Sequence, residues 1–209
     1  MKKIFLTLIL CGFVGAIFAQ GVKFGVTTGL NVSNESIKLI KTDWKAGFQG
    51  GVFLDYAVTP QLSLVPELLF TQRGSKLNIS ITDDNGKMID SGYSETLNYL
   101  QLPVNVAYKF DLSNDQKLFP FAGAYLGYGL SGSVKFQRAG VESGNTKIKF
   151  GSAEDRMKRL DYGLNIGAGY QYDHIIFKLQ YNHGLADLSN IKDRKIKNKN
   201  LAVTVGYLF

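Results

Sequence analysis

Two stretches of the chain alternate apolar and polar residues with a period of two. In residues 99–110, YLQLPVNVAYKF, Leu100, Leu102, Val104, Val106, Tyr108 and Phe110 alternate with Gln101, Pro103, Asn105, Ala107 and Lys109. In residues 201–209, LAVTVGYLF, Leu201, Val203, Val205, Tyr207 and Phe209 share one side against Ala202, Thr204, Gly206 and Leu208. Successive side chains of a strand point to opposite faces, so each stretch predicts a strand with one wholly apolar face. Taken singly, such a strand fits a soluble sheet with one wet face as well as it fits a membrane.

Six further runs of the same kind bring the number to eight: 22–31, 44–58, 62–73, 99–110, 118–131, 160–172, 175–182 and 201–209. Most approach the ~9–11 residues that a tilted strand needs to cross a bilayer. The connections discriminate better. Those after the second, fourth and sixth runs are short: 59–61, 111–117 and Asp173-His174. Those after the first, third, fifth and seventh are long and polar: 33–43, 74–98, 132–159 and 183–200. Strict alternation of short and long connections predicts an all-β, eight-stranded antiparallel up-and-down transmembrane β-barrel, with tight periplasmic turns, long outer loops and both termini in the periplasm. A soluble sandwich has no reason to sort its loops in this way. The second loop has its own turn signal, Asp84-Asn85-Gly86, between 77–81 and 88–93, which predicts a hairpin.

The two faces agree with a barrel. The side expected to meet lipid carries sets such as Trp44, Phe48, Val52, Leu54 and Tyr56, or Leu160, Tyr162, Leu164, Ile166 and Tyr170, without a charge among them. Lys or Arg there would cost ~2–4 kcal/mol at the membrane midplane. Aromatic residues gather near the ends of the runs, as interfacial girdles do. Pro66 falls on this outer side and predicts a bulge or a local break in the ladder. The other side carries Lys45, Gln49, Asp55, Glu67, Arg73, Gln101, Asn105, Lys109, Asp161, Asn165, Lys178, Gln180 and Asn182, together with most of the strand glycines. An eight-stranded barrel is just wide enough to be filled by its own side chains, so glycines there make room for large residues such as Phe53 and Tyr125. The pattern predicts a plugged, hydrogen-bonded interior.

The start of the chain, MKKIFLTLILCGFVGAIFAQ, has Lys2 and Lys3 ahead of a mostly apolar stretch and a small residue at Ala19. This predicts a signal peptide over 1–19 and a barrel domain over 20–209. Cys11, the chain's single cysteine, falls within the signal, so the mature protein is expected to have no disulfide, thiol nucleophile or cysteine metal site. The net charge of +7 falls to +5 once Lys2 and Lys3 leave. Much of the remaining basicity sits in 147–159 and 192–199. A secreted barrel does not meet cytoplasmic nucleic acid, and basic loops facing an anionic outer leaflet account for the charge by Coulomb attraction.

The runs GVFLDYAVTPQLSLVPELLFTQRGSK, YLQLPVNVAYKF, PFAGAYLGYGLSG, YGLNIGAGYQY and VTVGYLF together resemble the PorT-type outer-membrane β-barrel family, often described only as porin-family or OmpA/OmpX-like. The resemblance spans essentially the whole mature chain. It implies an eight-stranded barrel in a Gram-negative outer membrane, and some members are accessory parts of a secretion apparatus.

Little in the chain points to catalysis. Gly127–Gly132 matches G-x-G-x-x-G but lies at the end of an alternating strand, where a dinucleotide site would need a strand, a turn and a helix. His174 sits in a short turn; His183 lies at the outer rim, in the same connection as Ser189. A rim serine and histidine could hydrolyse lipid acyl chains, which makes a lipid-modifying hydrolase one alternative and a small diffusion pore another. Glu67, near the middle of its run, is expected to pair with Lys45, Arg73, Lys109 or Lys178, since an isolated buried charge is untenable. No catalytic, cofactor or metal residues are predicted. The expected role is structural or surface-binding, with outer-membrane lipid and an extracellular or secretion-apparatus protein as partners and a monomeric state.

Overall fold

The computed structural model describes residues 21–37, 42–82, 88–113, 115–138, 141–153, 156–191 and 195–209. The expected signal over 1–19 and the Asp84-Asn85-Gly86 turn lie outside these residues. Eleven strands are formed among the described residues: β1 (Val22–Ile37), β2 (Asp43–Ala57), β3 (Leu62–Arg73), β4 (Ser75–Thr82), β5 (Met88–Tyr108), β6 (Phe110–Ser113), β7 (Gln116–Arg138), β8 (Val141–Ile148), β9 (Leu160–Tyr172), β10 (Ile175–Gly184) and β11 (Ile196–Leu208).

Eight of them close a ring in the order β1, β2, β3, β5, β7, β9, β10, β11, each antiparallel to the next. The ring shuts where β11 returns to β1, from Gly25 opposite Leu208 to Ile37 opposite Ile196. These eight strands are the eight runs of the sequence. Closure leaves no unpaired edge within the ring, which a backbone in hydrocarbon requires. The remaining strands extend the ring: β4 continues β3, β6 continues β5, and β8 pairs with β7.

All four expectations about the long loops need correction. β1 runs on to Ile37, inside the expected loop 33–43. The expected loop 74–98 is mostly strand, with β4 and the first half of β5 paired from Lys76–Ser94 to Thr82–Met88. The two arms of the hairpin anticipated there are therefore paired. The expected loop 132–159 begins with the far end of β7, and β8 folds back on it. β10 runs to Gly184 and β11 begins at Ile196, both inside the expected loop 183–200. Beyond the apolar band both faces of a strand can be polar, so the period-two signal fades while the backbone ladder continues.

Pro66 interrupts the ladder between β2 and β3, whose register is unchanged on either side of the gap. It is a local break without a bulge. Gly74, at φ +152°, makes the kink between β3 and β4, and a Cβ there would stand 2.0 Å from the Glu95 carbonyl oxygen. Only glycine fits that corner.

Side chains sort as the alternation predicts. Leu164, Ile166, Val203 and Val205 are exposed on the outside, while Asp161, Asn165, Ala202 and Thr204 beside them are buried. Trp44 and Tyr56 mark the two ends of the outer apolar band on β2. At about 3.3 Å per residue and ~40° of tilt they lie about 30 Å apart along the barrel axis, close to the thickness of a bilayer core.

Candidate functional site

The interior is built in layers. Near the end where β1 begins and β11 ends, Phe53, Ala107, Phe119, Phe121, Ile176 and Leu208 form an apolar plug. Glycines on neighbouring strands admit its rings: a Cβ at Gly25 would lie 2.2 Å from the Phe53 ring, and one at Gly169 would lie 2.2 Å from that of Phe119. Tyr125, higher in the barrel, leans on Gly163 in the same way, with 2.7 Å to a Cβ built there.

Above the plug the polar residues pair off. Lys178 Nζ donates to Glu67 Oε2 at 2.7 Å, and Asn105 Nδ2 donates to Glu67 Oε1 at 3.2 Å. Of the four cations offered to Glu67 by the sequence, the structure selects Lys178. Arg73 goes instead to Asp161, 3.1 Å away with both side chains fully buried. Its guanidinium also donates to Gln101 and lies over the rings of Tyr99 and Tyr125, at 5.9 and 5.1 Å from their centroids. Asp161 Oδ2 further accepts from Tyr125 Oη at 3.2 Å and Asn198 Nδ2 at 3.0 Å. Lys109 pairs with Asp55 at the terminus end. Lys45, near the loop end, donates to the carbonyl of Glu95 at 2.7 Å and to Thr96. A buried charge is tolerable only with such partners, and each ion here finds one on another strand.

A second apolar closure seals the loop end, and the sequence reading did not anticipate it. Leu97, Tyr99 and Phe150 form one cluster and Ala186, Leu188 and Ile196 another, with Met157 packed against both. Phe150, Met157, Ala186 and Leu188 come from the connections on either side of β9 and β10. Those two segments are stitched together: Lys158 N donates to Leu188 O at 2.9 Å, and Leu188 N to Ile196 O at 2.9 Å. Asn190 Nδ2 lies 2.7, 3.1 and 2.9 Å from the carbonyl oxygens of Gly151, Ala153 and Arg156. The available signal was a handful of apolar residues within otherwise polar loops.

Outside the barrel, the apolar face ends sharply along β3, β5 and β7. Phe70, Leu100 and Tyr128 stand in register on β3, β5 and β7. One outward position further on, Gln72 Nε2 donates to Asn98 Oδ1 at 3.3 Å and Asn98 Nδ2 to Ser131 Oγ at 2.9 Å. Between the two ranks β7 carries a bulge: Tyr99 faces Gly129 and Asn98 faces Ser131, so Leu130 is the extra residue. There β7 leaves β9, with Tyr128 opposite Leu160, and takes up β8, with Gly132 opposite Ile148. Arg159 bridges the gap. It donates to Gly129 O at 3.1 Å and lies over the rings of Tyr128 and Phe150, at 5.5 and 5.7 Å.

The two histidines find ordinary partners. His174 Nδ1 is 2.7 Å from Asp173 Oδ1, and the ring stacks on Tyr207. His183 points outward with Nδ1 3.5 Å from Tyr181 Oη, whereas Ser189 is buried and its hydroxyl accepts from Ile191 N at 3.0 Å. Among the described residues neither of this pair hydrogen-bonds the other. Gly127–Gly132 lies within β7, as the alternation implied, and no helix follows it.

Several solved structures are similar in fold. One is Ail, the attachment invasion locus protein of Yersinia pestis, in complex with the heparin analogue sucrose octasulfate; it is 18% identical, with 90% of this chain and 99% of that one covered and a TM-score of 0.41. Another is Neisserial surface protein A, at 15% identity, 90% and 99% coverage and a TM-score of 0.47. A third is the outer membrane protein OprG from Pseudomonas aeruginosa, at 14% identity, 91% and 97% coverage and a TM-score of 0.44. No curated protein matches the chain. The family of the outer membrane protein beta-barrel domain matches residues 18–190. With the closed ring and its uncharged outer band, that match makes this chain a member of the outer-membrane β-barrel domain family.

Proposed function

We propose that the protein is a sealed outer-membrane barrel with a structural or surface-binding role, which holds its loop end outside the cell. The observation that carries this reading is the double closure of the interior, by Phe53, Phe119 and Phe121 at one end and by Phe150, Met157 and Leu188 at the other. Between them, Arg73–Asp161 and Lys178–Glu67 fill the lumen. Such an interior favours neither a diffusion pore nor transport. The short turns, the start of β1 and the end of β11 lie at one end of the ring, which supports periplasmic termini, and a signal over 1–19 would supply the route to that compartment.

Catalysis is not part of this reading. The outward His183 and the buried Ser189 face different surroundings, which disfavours the hydrolase alternative. The finer assignment, a PorT-type barrel that assists a secretion apparatus, is supported by the resemblance of its strand runs. In that case the segments 132–159 and 183–200 carry the partner surface, because loops on a rigid scaffold are where recognition resides.

Planar-bilayer recording together with gel mobility tests the reading. The heat-modifiable, folded protein is expected to show no discrete conductance. Unit steps from wild-type protein would establish a pore, and recovery as a soluble protein without detergent would remove the membrane assignment. Pull-down with variants lacking 132–159 or 183–200 then reads the partner.

A further inference from the structure

Two grooves open on the outside of the barrel and share Arg159, the smaller where β7 parts from β9 and the larger between the start of β9 and the connection after β10. The larger, of about 530 Å³, is lined by Lys158, Arg159, Leu160 and Tyr162 on one side and by Asp187 and Asn190 on the other. The smaller, of about 360 Å³, runs from Leu130 past Lys147 and Lys149 to Arg156 and Arg159. Each therefore has exposed apolar residues at its foot (Leu130 in one, Leu160 and Tyr162 in the other) and cations above them.

Height fixes what such a groove can meet. The hydrogen-bonded rank of Gln72, Asn98 and Ser131 begins the wet side, and Phe70, Leu100 and Tyr128 end the dry side. The Arg159 guanidinium lies over the Tyr128 ring, at that border. Lys147, Lys149, Arg156 and Lys158 stand around it. Among the described residues the carboxylate lining the grooves is that of Asp187, which accepts from the backbone of Ser189 and Ile196 through Oδ1, both at 3.1 Å. A cluster of cations at headgroup level above an acyl-facing wall complements an amphiphile whose polar end is phosphorylated.

We propose that the paired grooves bind the phosphorylated headgroup of an outer-leaflet lipid, with Arg159 and Lys158 on the phosphate and Leu130, Leu160 and Tyr162 against the first acyl segments. The proposal rests on the membrane orientation given above. The Leu130 bulge takes part in it, because parting β7 from β9 is what opens the smaller groove at this height.

The test uses the full chain, refolded into phosphatidylcholine nanodiscs with bisphosphoryl lipid A or its dephosphorylated form. Lipid carried with the protein is read by native mass spectrometry, and folding by heat-modifiable migration. Wild-type protein is expected to retain the phosphorylated lipid over the dephosphorylated one. Retention should fall about fivefold for each charge removed, the ~1 kcal/mol that one Lys or Arg contributes near an anionic surface. For Lys158→Gln with Arg159→Gln the loss is then about twenty-fivefold, with unchanged heat-modifiability. Lys147→Gln with Lys149→Gln reads the same site without touching the Arg159 stack. Lys117→Gln, at the opposite end of the barrel, is expected to retain lipid as wild type does.

Equal retention of both lipids by wild-type protein overturns the proposal, as does full retention by both double variants. Displacement of the retained lipid by inorganic phosphate would assign the grooves to a free anion and overturn the lipid assignment. Loss of heat-modifiable migration in the wild type would instead refute the membrane barrel itself, which separates the two failures.

Discussion

The two ends of this barrel are closed by the same kind of residue and by different parts of the chain. At the terminus end, Phe53, Phe119, Phe121, Ile176 and Leu208 all sit on ring strands, pointing inward at period two. At the loop end, Phe150, Met157, Ala186 and Leu188 belong to connections folded over the mouth, and Leu97, Tyr99, Ile148 and Ile196 are strand residues. The first closure cannot open unless the ring opens. The second is held by a few backbone bonds and by Asn190, so it belongs to the class of elements that open locally at lower free energy. Equal burial does not mean equal permanence.

The most severe way to break the comparison is at the ring seam. Phe209 N donates to Phe24 O at 2.8 Å and the two rings stack at 5.7 Å, so the last residues join the first strand. Deletion of 207–209 is expected to abolish assembly, read as loss of heat-modifiable protein; normal levels would show that another strand makes the closure. Thr204→Ser, on the inner face of the same strand, should be tolerated.

Next in size, Arg73→Met strands Asp161 in the lumen and should cost about 3–5 kcal/mol, since one partner of a buried pair is left uncompensated. Lys109→Met at the terminus end should cost clearly less, because the Lys109 side chain is 12% exposed against 1% for Arg73. Urea titration of the two variants in detergent checks the order, and an equal loss would mean that water reaches Arg73 as readily as Lys109.

Phe53→Ala and Leu188→Ala sharpen the comparison directly. Removing the Phe53 ring should cost about 3–5 kcal/mol of global stability. Leu188 is just as buried, yet its truncation is expected to change global unfolding by less than about 1 kcal/mol, because a locally opening lid is only weakly coupled to the ring. Its effect should appear as faster proteolysis within 149–159 and 185–191. Equal global losses would mean that lid and ring unfold as one unit. Asn190→Ala, the mildest change, should raise the same cleavage rate and leave the urea midpoint in place.

The comparison also explains what could be read in advance. Faces, glycine positions and the ring strands follow from period two and loop lengths, both local properties of the chain. The partner of Glu67 does not: Lys178 lies on β10, across the lumen, and the stagger that brings the two together is a property of the closed ring. The extension of β5 and β7 was hidden because strands above the membrane have no apolar face to announce them. The lid was hidden because Phe150, Met157 and Leu188 follow no period. Pairing between distant loops is written in no local pattern.

Trp44 is the only tryptophan in the chain and stands half-exposed on the outer face, at the loop-end edge of the apolar band. A single indole at a known depth makes the protein its own optical probe. Its emission should shift to the blue when the band enters lipid and to the red in urea. Acyl chains brominated near the headgroup should quench it more strongly than chains brominated near the methyl end. Insertion, and the side from which it finishes, can thus be followed without a label.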